Sequence, residues 1–304
     1  SYRTLSKCCH PDIAPKGEEK KYADIFSRIT ELYREAEGNP SKKILLTSPS
    51  TLKGVNLHFK KEKLTLKRII SDNPISQCYS FDRGYVRISK IPSNNDLILN
   101  EARQLAILNN YSSLSQQDFV RIQSTYVPKL LGSITLNSGV KHYNCNILQS
   151  VKGSAYSVEQ TILLHPKGLP LAHVWWIFRR TLLTLHYLEL AGIQHHSINP
   201  RNIWIHDEAH GTVIHDFTNS SPIKGKRRYK DPQYEDIYGT DIQMLTRSMI
   251  YLATGQFNLK ELPTSSGIKS FFELILKNPN LQAYDTHQKF GDLLGKKEYV
   301  ELRI

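Results

Sequence analysis

The chain has 304 residues, of which 39% are hydrophobic and 22% charged, a composition that excludes a largely disordered protein. No apolar run approaches the roughly 20 residues of a membrane span, so we expect no membrane protein. The formal net charge of +12 suggests an acidic partner, such as nucleic acid, an anionic surface or an acidic protein, but a solvated basic surface alone would also account for it.

Residues 2–9 have the pattern of a short basic helix, in which Arg3 and Lys7 lie one turn apart. This helix ends at His10-Pro11-Asp12, because a proline disfavours helical backbone at the residue before it. A second helix is predicted from Glu18 to Glu37, where apolar residues recur at intervals of three and four positions. The start of the chain is therefore expected to be a separate helical unit.

Two helices joined by His10-Pro11-Asp12 resemble the J-domain of DnaJ-type co-chaperones, over residues 1–38. The family's first helix would precede Ser1. The resemblance implies that His10, Pro11 and Asp12 trigger ATP hydrolysis by a DnaK-type chaperone. It also implies that the basic helix, through Arg3 and Lys7, docks on an acidic surface of that chaperone. The alternative is a helical hairpin that serves only for packing.

Residues 39–56 are predicted to be a linker, since they contain proline, glycine and several serines and threonines. Strand-like runs and one helix follow this linker. They lie at Leu64–Ile70, Gln77–Phe81, Tyr85–Ile91 and, for the helix, Asp96–Asn109.

The last of these strands and the helix resemble a pair of elements in protein kinases. In that family the strand ends in a phosphate-binding lysine, and the helix carries a glutamate that pairs with it. Lys90 and Glu101 take these positions. The family's glycine-rich phosphate loop would be residues 71–76, which contain no glycine, and Asp72 adds a negative charge there. The resemblance therefore implies a degenerate nucleotide site.

After a hinge near Gln149 to Gly153, an apolar face from Val174 to Leu188 predicts a long core helix. The segment that follows it resembles the kinase catalytic loop, H-R-D-x-x-x-x-N. His195 and Asn202 have the family's spacing, but Ser197 stands where the catalytic aspartate would be. Because a neutral serine hydroxyl is a poor base near pH 7, no catalytic residue is intact.

A hairpin is predicted at Ile203–His206 and Thr212–His215. It leads to Asp216-Phe217-Thr218, which resembles the kinase D-F-G with threonine in place of glycine. In the family Asn202 and Asp216 would hold Mg²⁺, so the resemblance implies weak binding of ATP and Mg²⁺. Asp241 matches the aspartate that opens the next large helix and braces the catalytic loop.

These motifs together predict an α+β protein. It would have a two-lobed protein-kinase-like fold, preceded by a J-domain-like helical hairpin. The expected domains are a hairpin at 1–38, a linker at 39–56, an N-lobe at 57–152 and a C-lobe at 153–304.

The function expected from these resemblances is that of a DnaJ-like co-chaperone or adaptor. It would recruit a DnaK-type chaperone and bind a client or assembly partner through a catalytically impaired kinase-like domain, a pseudokinase that requires no cofactor. One alternative is an active atypical Ser/Thr protein kinase that uses Asp216 and Mg²⁺ with another base. Another is a structural subunit of a larger assembly, which could contain nucleic acid.

The charge and the cysteines bear on partners and compartment. One basic run stands out as a surface for nucleic acid or an acidic protein, and it comprises Lys224, Lys226, Arg227, Arg228 and Lys230. The four cysteines have neither zinc spacing nor the density of a disulfide scaffold, which predicts a reducing, cytoplasmic location.

Overall fold

The computed structural model describes residues 56–59, 62–138, 140–149, 151, 154–206 and 211–295. All of them belong to the unit Pro49–Ile304. The predicted hairpin at residues 1–38, and all of the predicted linker except Asn56, lie outside the described residues. No helix within the described ranges is long and apolar enough to cross a membrane.

A hairpin of two strands, β1 (Asn56–Phe59) and β2 (Glu62–Thr65), precedes the main sheet. The sheet consists of β3 (Ile69–Asp72), β4 (Ser76–Phe81), β5 (Gly84–Ser89), β6 (Lys129–Ser138) and β7 (Lys141–Gln149). Its strands are antiparallel and lie in the order β3-β4-β5-β7-β6. Helix α1 (Asn95–Leu114) follows β5 and packs against β5, β6 and β7.

The inner strands of this sheet are buried on both faces. Tyr85 and Leu148 belong to the core that includes the apolar side of α1, whereas Val86 and Ile147 belong to a second core under the β1–β2 hairpin. Successive side chains of a strand point to opposite faces. Arg87 therefore lies on the same face as Tyr85, toward α1.

The rest of the described chain is mainly helical. In chain order its elements are α2 (Asp118–Gln123), β8 (Ser154–Ser157), α3 (Val158–Leu164), α4 (Leu171–Leu190), β9 (Ile193–Gln194), β10 (Ile203–His206), β11 (Gly211–Ile214), β12 (Ser221–Pro222), α5 (Asp241–Thr254), α6 (Ser266–Lys277) and α7 (Ala283–Leu294). Strand β10 pairs with β11 and β8, and β12 pairs with β9. Helix α4 is central, because it contacts α5, α7 and β11.

An aromatic cluster joins α4 to the last two helices. Trp175 and Phe178 of α4 contact Phe272 of α6 and Phe290 of α7, with ring centroids 4.9 to 5.6 Å apart. Three of these four contacts are edge-on, with ring planes 76 to 83° apart, a geometry that aromatic quadrupoles favour. The apolar face predicted for α4 is thus the core of the helical part.

Several predicted elements are confirmed, among them β4, α1, α4 and the β10–β11 hairpin. The predicted strand Leu64–Ile70 is instead two strands, because residues 66–68 separate β2 from β3. The long strands β6 and β7 were not predicted. They contain three asparagines, which have low strand propensity, and their stability comes from the pairing of β7 with β5, the pairing of β6 with β7 and packing on α1.

Truncation of Phe290 tests the aromatic cluster. We expect Phe290→Ala to lower the free energy of unfolding by about 3–5 kcal/mol, because it leaves a cavity between three rings. On the same helix Leu293 is 47% exposed, so Leu293→Ala should cost less than about 1 kcal/mol. Urea unfolding of both variants measures the difference, and equal losses would contradict a packed cluster.

Candidate functional site

Arg87 lies where β5, α1 and the segment after β11 meet, and only 2% of its side chain is exposed. Its Nε lies 3.0 Å from Glu101 Oε1, and its Nη1 lies 3.3 Å from Asp216 Oδ2. Nη1 also donates a hydrogen bond of 3.0 Å to Ser76 Oγ. Burial opposes the charge on Arg87, but the carboxylates of Asp216 and Glu101 outweigh it and hold its pKa well above the usual value.

Glu101 and Asp216 share the Arg87 guanidinium, but their pKa values shift in opposite directions. Burial raises the pKa of Glu101 despite the opposing effect of Arg87 and a 2.9 Å hydrogen bond from Asn146 Nδ2. Burial also acts against ionised Asp216, but Arg87 and the hydroxyl of Thr218 hold its pKa below the usual value.

The expected pairing of Lys90 with Glu101 is wrong, because Arg87 pairs with Glu101 instead. Lys90 follows the end of β5, is 27% exposed, and contacts the carboxylate of Asp72. A separation of three residues places Arg87 and Lys90 on opposite faces of an extended chain. A role for Lys90 in nucleotide binding stays a prediction.

The turn between β3 and β4 closes on Asp216. The side-chain oxygen of Asn73 accepts hydrogen bonds from the backbone N–H groups of Ile75 and Ser76, at 2.9 and 2.8 Å. Its Nδ2 donates a 2.9 Å hydrogen bond to Asp216 Oδ2. The turn that stands in place of the glycine-rich phosphate loop thus contacts this aspartate directly.

Both carboxylate oxygens of Asp216 are engaged by protein groups. Oδ1 accepts hydrogen bonds from the hydroxyl and the backbone N–H of Thr218, at 2.6 and 3.3 Å. Oδ2 faces Asn73 and Arg87. This arrangement does not fit Mg²⁺, which would need those oxygens as ligands at about 2.0–2.1 Å.

Asn202, the other residue expected to hold a metal, is also engaged. It donates a 3.0 Å hydrogen bond from Nδ2 to the backbone oxygen of Ser197. No hydrogen bond joins it to Asp216. Within the described ranges, no group of three or more His, Cys, Asp or Glu side chains could hold a metal ion.

Ser197, at the position of the catalytic aspartate, is buried and accepts a 2.9 Å hydrogen bond from Asn219 Nδ2. Asn219 is itself buried and also binds the backbone of Tyr229. Its Nδ2 donates to the Tyr229 oxygen at 2.6 Å, and its Oδ1 accepts from the Tyr229 N–H at 2.7 Å. The serine hydroxyl is therefore part of a structural contact between the catalytic-loop segment and the segment after β12.

His195 and Asp241 hold the catalytic-loop segment in place. Burial lowers the pKa of His195 to about 4, so the ring is neutral near pH 7 and its Nε2 donates to the backbone oxygen of His215 at 3.0 Å. The carboxylate of Asp241 accepts the backbone N–H groups of His195 and His196 at 2.6 and 2.7 Å. This confirms the bracing role predicted for Asp241, at the first residue of α5.

A second polar cluster surrounds Arg201. Its guanidinium pairs with Asp231 at 2.9 Å and with Glu159 of α3 at 3.6 Å, and it contacts the side-chain oxygen of Gln233. Burial opposes its charge, but Glu159 and Asp231 outweigh this and raise its pKa. The cluster ties the catalytic-loop segment to α3 and to the turn at residues 232–234.

Three residues of this site were missed by sequence reasoning. Asn73 and Asn219 stand in segments where asparagine is common, and no local pattern indicates their distant partners. Arg87 did give a signal, because it lies in the middle of an apolar strand, Tyr85–Ile88. A cation at such a position is rarely buried unless it is paired.

The solved structure titled "Crystal structure of BubR1 kinase domain" is similar to this chain. The TM-score is 0.54 at 14% sequence identity, over 79% of this chain and 83% of that chain. No protein-family model and no curated protein matches the chain. The likeness shows that the fold is kinase-like, as the motifs predicted. The J-domain-like hairpin lies outside the described residues and stays a prediction.

Replacement of Arg87 tests the buried ion cluster. We expect Arg87→Met to lower the free energy of unfolding by about 3–5 kcal/mol, because Glu101 and Asp216 would be left buried without their cation. Lys90→Met removes a cation from a partly exposed pair and should cost less than about 1 kcal/mol. Urea unfolding measures both values, and a larger loss for Lys90→Met would show that Lys90 is the structural cation.

Proposed function

We propose that the kinase-like domain transfers no phosphate and is the binding module of an adaptor that recruits a DnaK-type chaperone. The observation that supports the first part is the double contact of Asp216 with Asn73 and Arg87. In an active kinase the corresponding aspartate holds the metal ion that bridges the phosphates. Here the chain's own side chains take those positions.

The energetics also favour this proposal. A nucleotide with Mg²⁺ could reach Asp216 only by separating it from Arg87 and Asn73. Breaking a buried ion pair costs about 3–5 kcal/mol, which is equivalent to a loss of about a hundredfold or more in affinity. Ser197 adds a second obstacle, because its hydroxyl is bonded to Asn219 and is a poor base.

The co-chaperone part of the proposal rests on the sequence. His10, Pro11 and Asp12 would contact the chaperone, and the kinase-like domain would bind a client or an assembly partner. The domain needs no cofactor for this role. Two other functions can be set against it. An atypical protein kinase is favoured by the retention of Asn202 and Asp216, and a structural subunit by the basic charge.

Nucleotide and phosphoryl-transfer assays test the first part. With labelled ATP, Mg²⁺ or Mn²⁺ and generic protein substrates, we expect no phosphate incorporation. A ligand at 100 times its Kd would raise the free energy of unfolding by about 2.7 kcal/mol, and we expect millimolar ATP–Mg²⁺ to give much less. Incorporation that disappears in Asp216→Ala would establish the atypical kinase instead.

Chaperone stimulation tests the second part. The complete protein, including any residues that precede Ser1, should accelerate ATP hydrolysis by its cognate DnaK-type chaperone. Asp12→Asn should abolish the acceleration, whereas Asp118→Asn, the same change at an exposed site of the kinase-like domain, should not. Arg3→Ala with Lys7→Ala should weaken docking mainly at low salt. An unaltered rate with Asp12→Asn would make the hairpin a packing element.

A further inference from the structure

Strand β6 forms one edge of the five-stranded sheet, because β7 is its only strand neighbour within the described part of the chain. After Lys129, its first residue, β6 contains neither a charged residue nor a proline. Sheet edges are usually protected by such residues, by bulges or by being short, since free backbone groups can pair with another chain. The register of β6 with β7 is irregular only between Leu130 and Gly132, so residues 132–138 form a regular and unprotected edge.

The backbone of β7 shows which groups of β6 point toward the free edge. The N–H of Asn144 donates a 2.8 Å hydrogen bond to Asn95 Oδ1, which also accepts from Ser89 Oγ at the end of β5. The backbone oxygen of His142 accepts from Asn95 Nδ2 on the same side. These β7 groups therefore point toward β5 and away from β6. Because Thr135 lies directly opposite Asn144 in the antiparallel pair, its own N–H and C=O point outward.

Two further residues of β6 share this outward direction. Backbone groups alternate in direction along a strand, so the N–H and C=O of Ser133 and Asn137 also point to the free edge. No turn, loop or side-chain hydrogen bond within the described ranges uses the backbone groups of Ser133, Thr135 or Asn137. Their side chains are exposed and bond to side chains of β7, whereas Ile134 and Leu136 pack partly buried under the β1–β2 hairpin. The edge thus has one polar face and one apolar face.

This edge is complementary to itself in the antiparallel direction. When Thr135 lies opposite the same residue of a second copy, Ser133 lies opposite Asn137, and Ile134 lies opposite Leu136. Polar side chains then meet polar ones and apolar side chains meet apolar ones, which stabilises neighbouring strands. The outward groups form three hydrogen-bonded pairs that exchange two bonds each, or about six bonds along roughly 20 Å. Thr135 is also the middle residue of 132–138, so this register gives the longest overlap.

We propose that a second copy of this chain pairs with β6 around a two-fold axis at Thr135, which joins the two five-stranded sheets into one. Another extended segment could use the same backbone groups, but a second copy supplies the matching alternation by symmetry. The outer edges of the joined sheet are the two β3 strands. Each has four residues, an irregular register with β4 and a charge at Asp72, so the assembly closes at two copies. This surface goes beyond the proposed function and does not depend on it.

Sedimentation equilibrium of the 304-residue chain tests the association. We expect a monomer–dimer equilibrium with a Kd between about 1 and 100 µM, because a short strand pairing is a small interface. A monomer at every concentration in this range would overturn the proposal. Growth beyond two copies would overturn it as well, because a closed two-fold pairing leaves only protected edges.

Charge variants at Thr135 test the register. Thr135→Lys and Thr135→Asp should each weaken self-association about fivefold, because like charges would lie directly opposite each other on the two-fold axis. An equimolar mixture of the two variants should restore the association, since opposite charges then face each other. The matched control is Thr125→Lys and Thr125→Asp, at an exposed site outside the sheet, and each should change the association less than about twofold. A mixture that associates no better than either variant alone would overturn this register.

A proline variant tests the backbone pairing. Thr135→Pro removes an N–H that points to the free edge, so the hydrogen bonds between β6 and β7 should remain. Two bonds at the centre of the dimer would be lost, and we expect self-association to weaken at least about tenfold. Far-UV circular dichroism shows whether the variant is folded. Unchanged association of folded Thr135→Pro would place the contact elsewhere and overturn the proposal, and the charge variants decide the matter if this variant does not fold.

Discussion

The interaction on which the site depends is the sharing of the Arg87 guanidinium between Glu101 and Asp216. A buried cation is tolerated only with charged partners, and two buried carboxylates likewise need a cation. Each carboxylate comes from a different part of the fold, Glu101 from α1 and Asp216 from the segment after β11. The sheet, α1 and the helical part are therefore joined through one side chain.

The polar residues around this cluster are explained by the same constraint. A network of buried polar groups is favourable only when each member has its hydrogen-bonding partners. Asn146 and the Phe217 N–H satisfy Glu101, while Asn73 and Thr218 satisfy Asp216. The contacts that hold the network together are thus the same contacts that surround the aspartate at the metal position.

The sequence predicted the kinase-like fold because its motifs are spaced along the chain and each has a local pattern. Glu101, Asn202, Asp216 and Asp241 were located this way. What could not be predicted is pairing across long separations. Asn73 and Asp216 are 143 residues apart, and nothing near either residue indicates the other. Lys90 was chosen for Glu101 by resemblance alone, although strand alternation and burial favour Arg87.

The hydrogen bond from Asn73 to Asp216 joins two distant parts of the chain without a bound molecule between them. In a protein that needs a small molecule to join two lobes, closure varies with the concentration of that molecule. The Asn73 side chain that contacts Asp216 is covalently part of the same chain. Its effective concentration at Asp216 is therefore set by chain geometry. The geometry of this contact is therefore set by the chain and not by the concentration of a bound molecule.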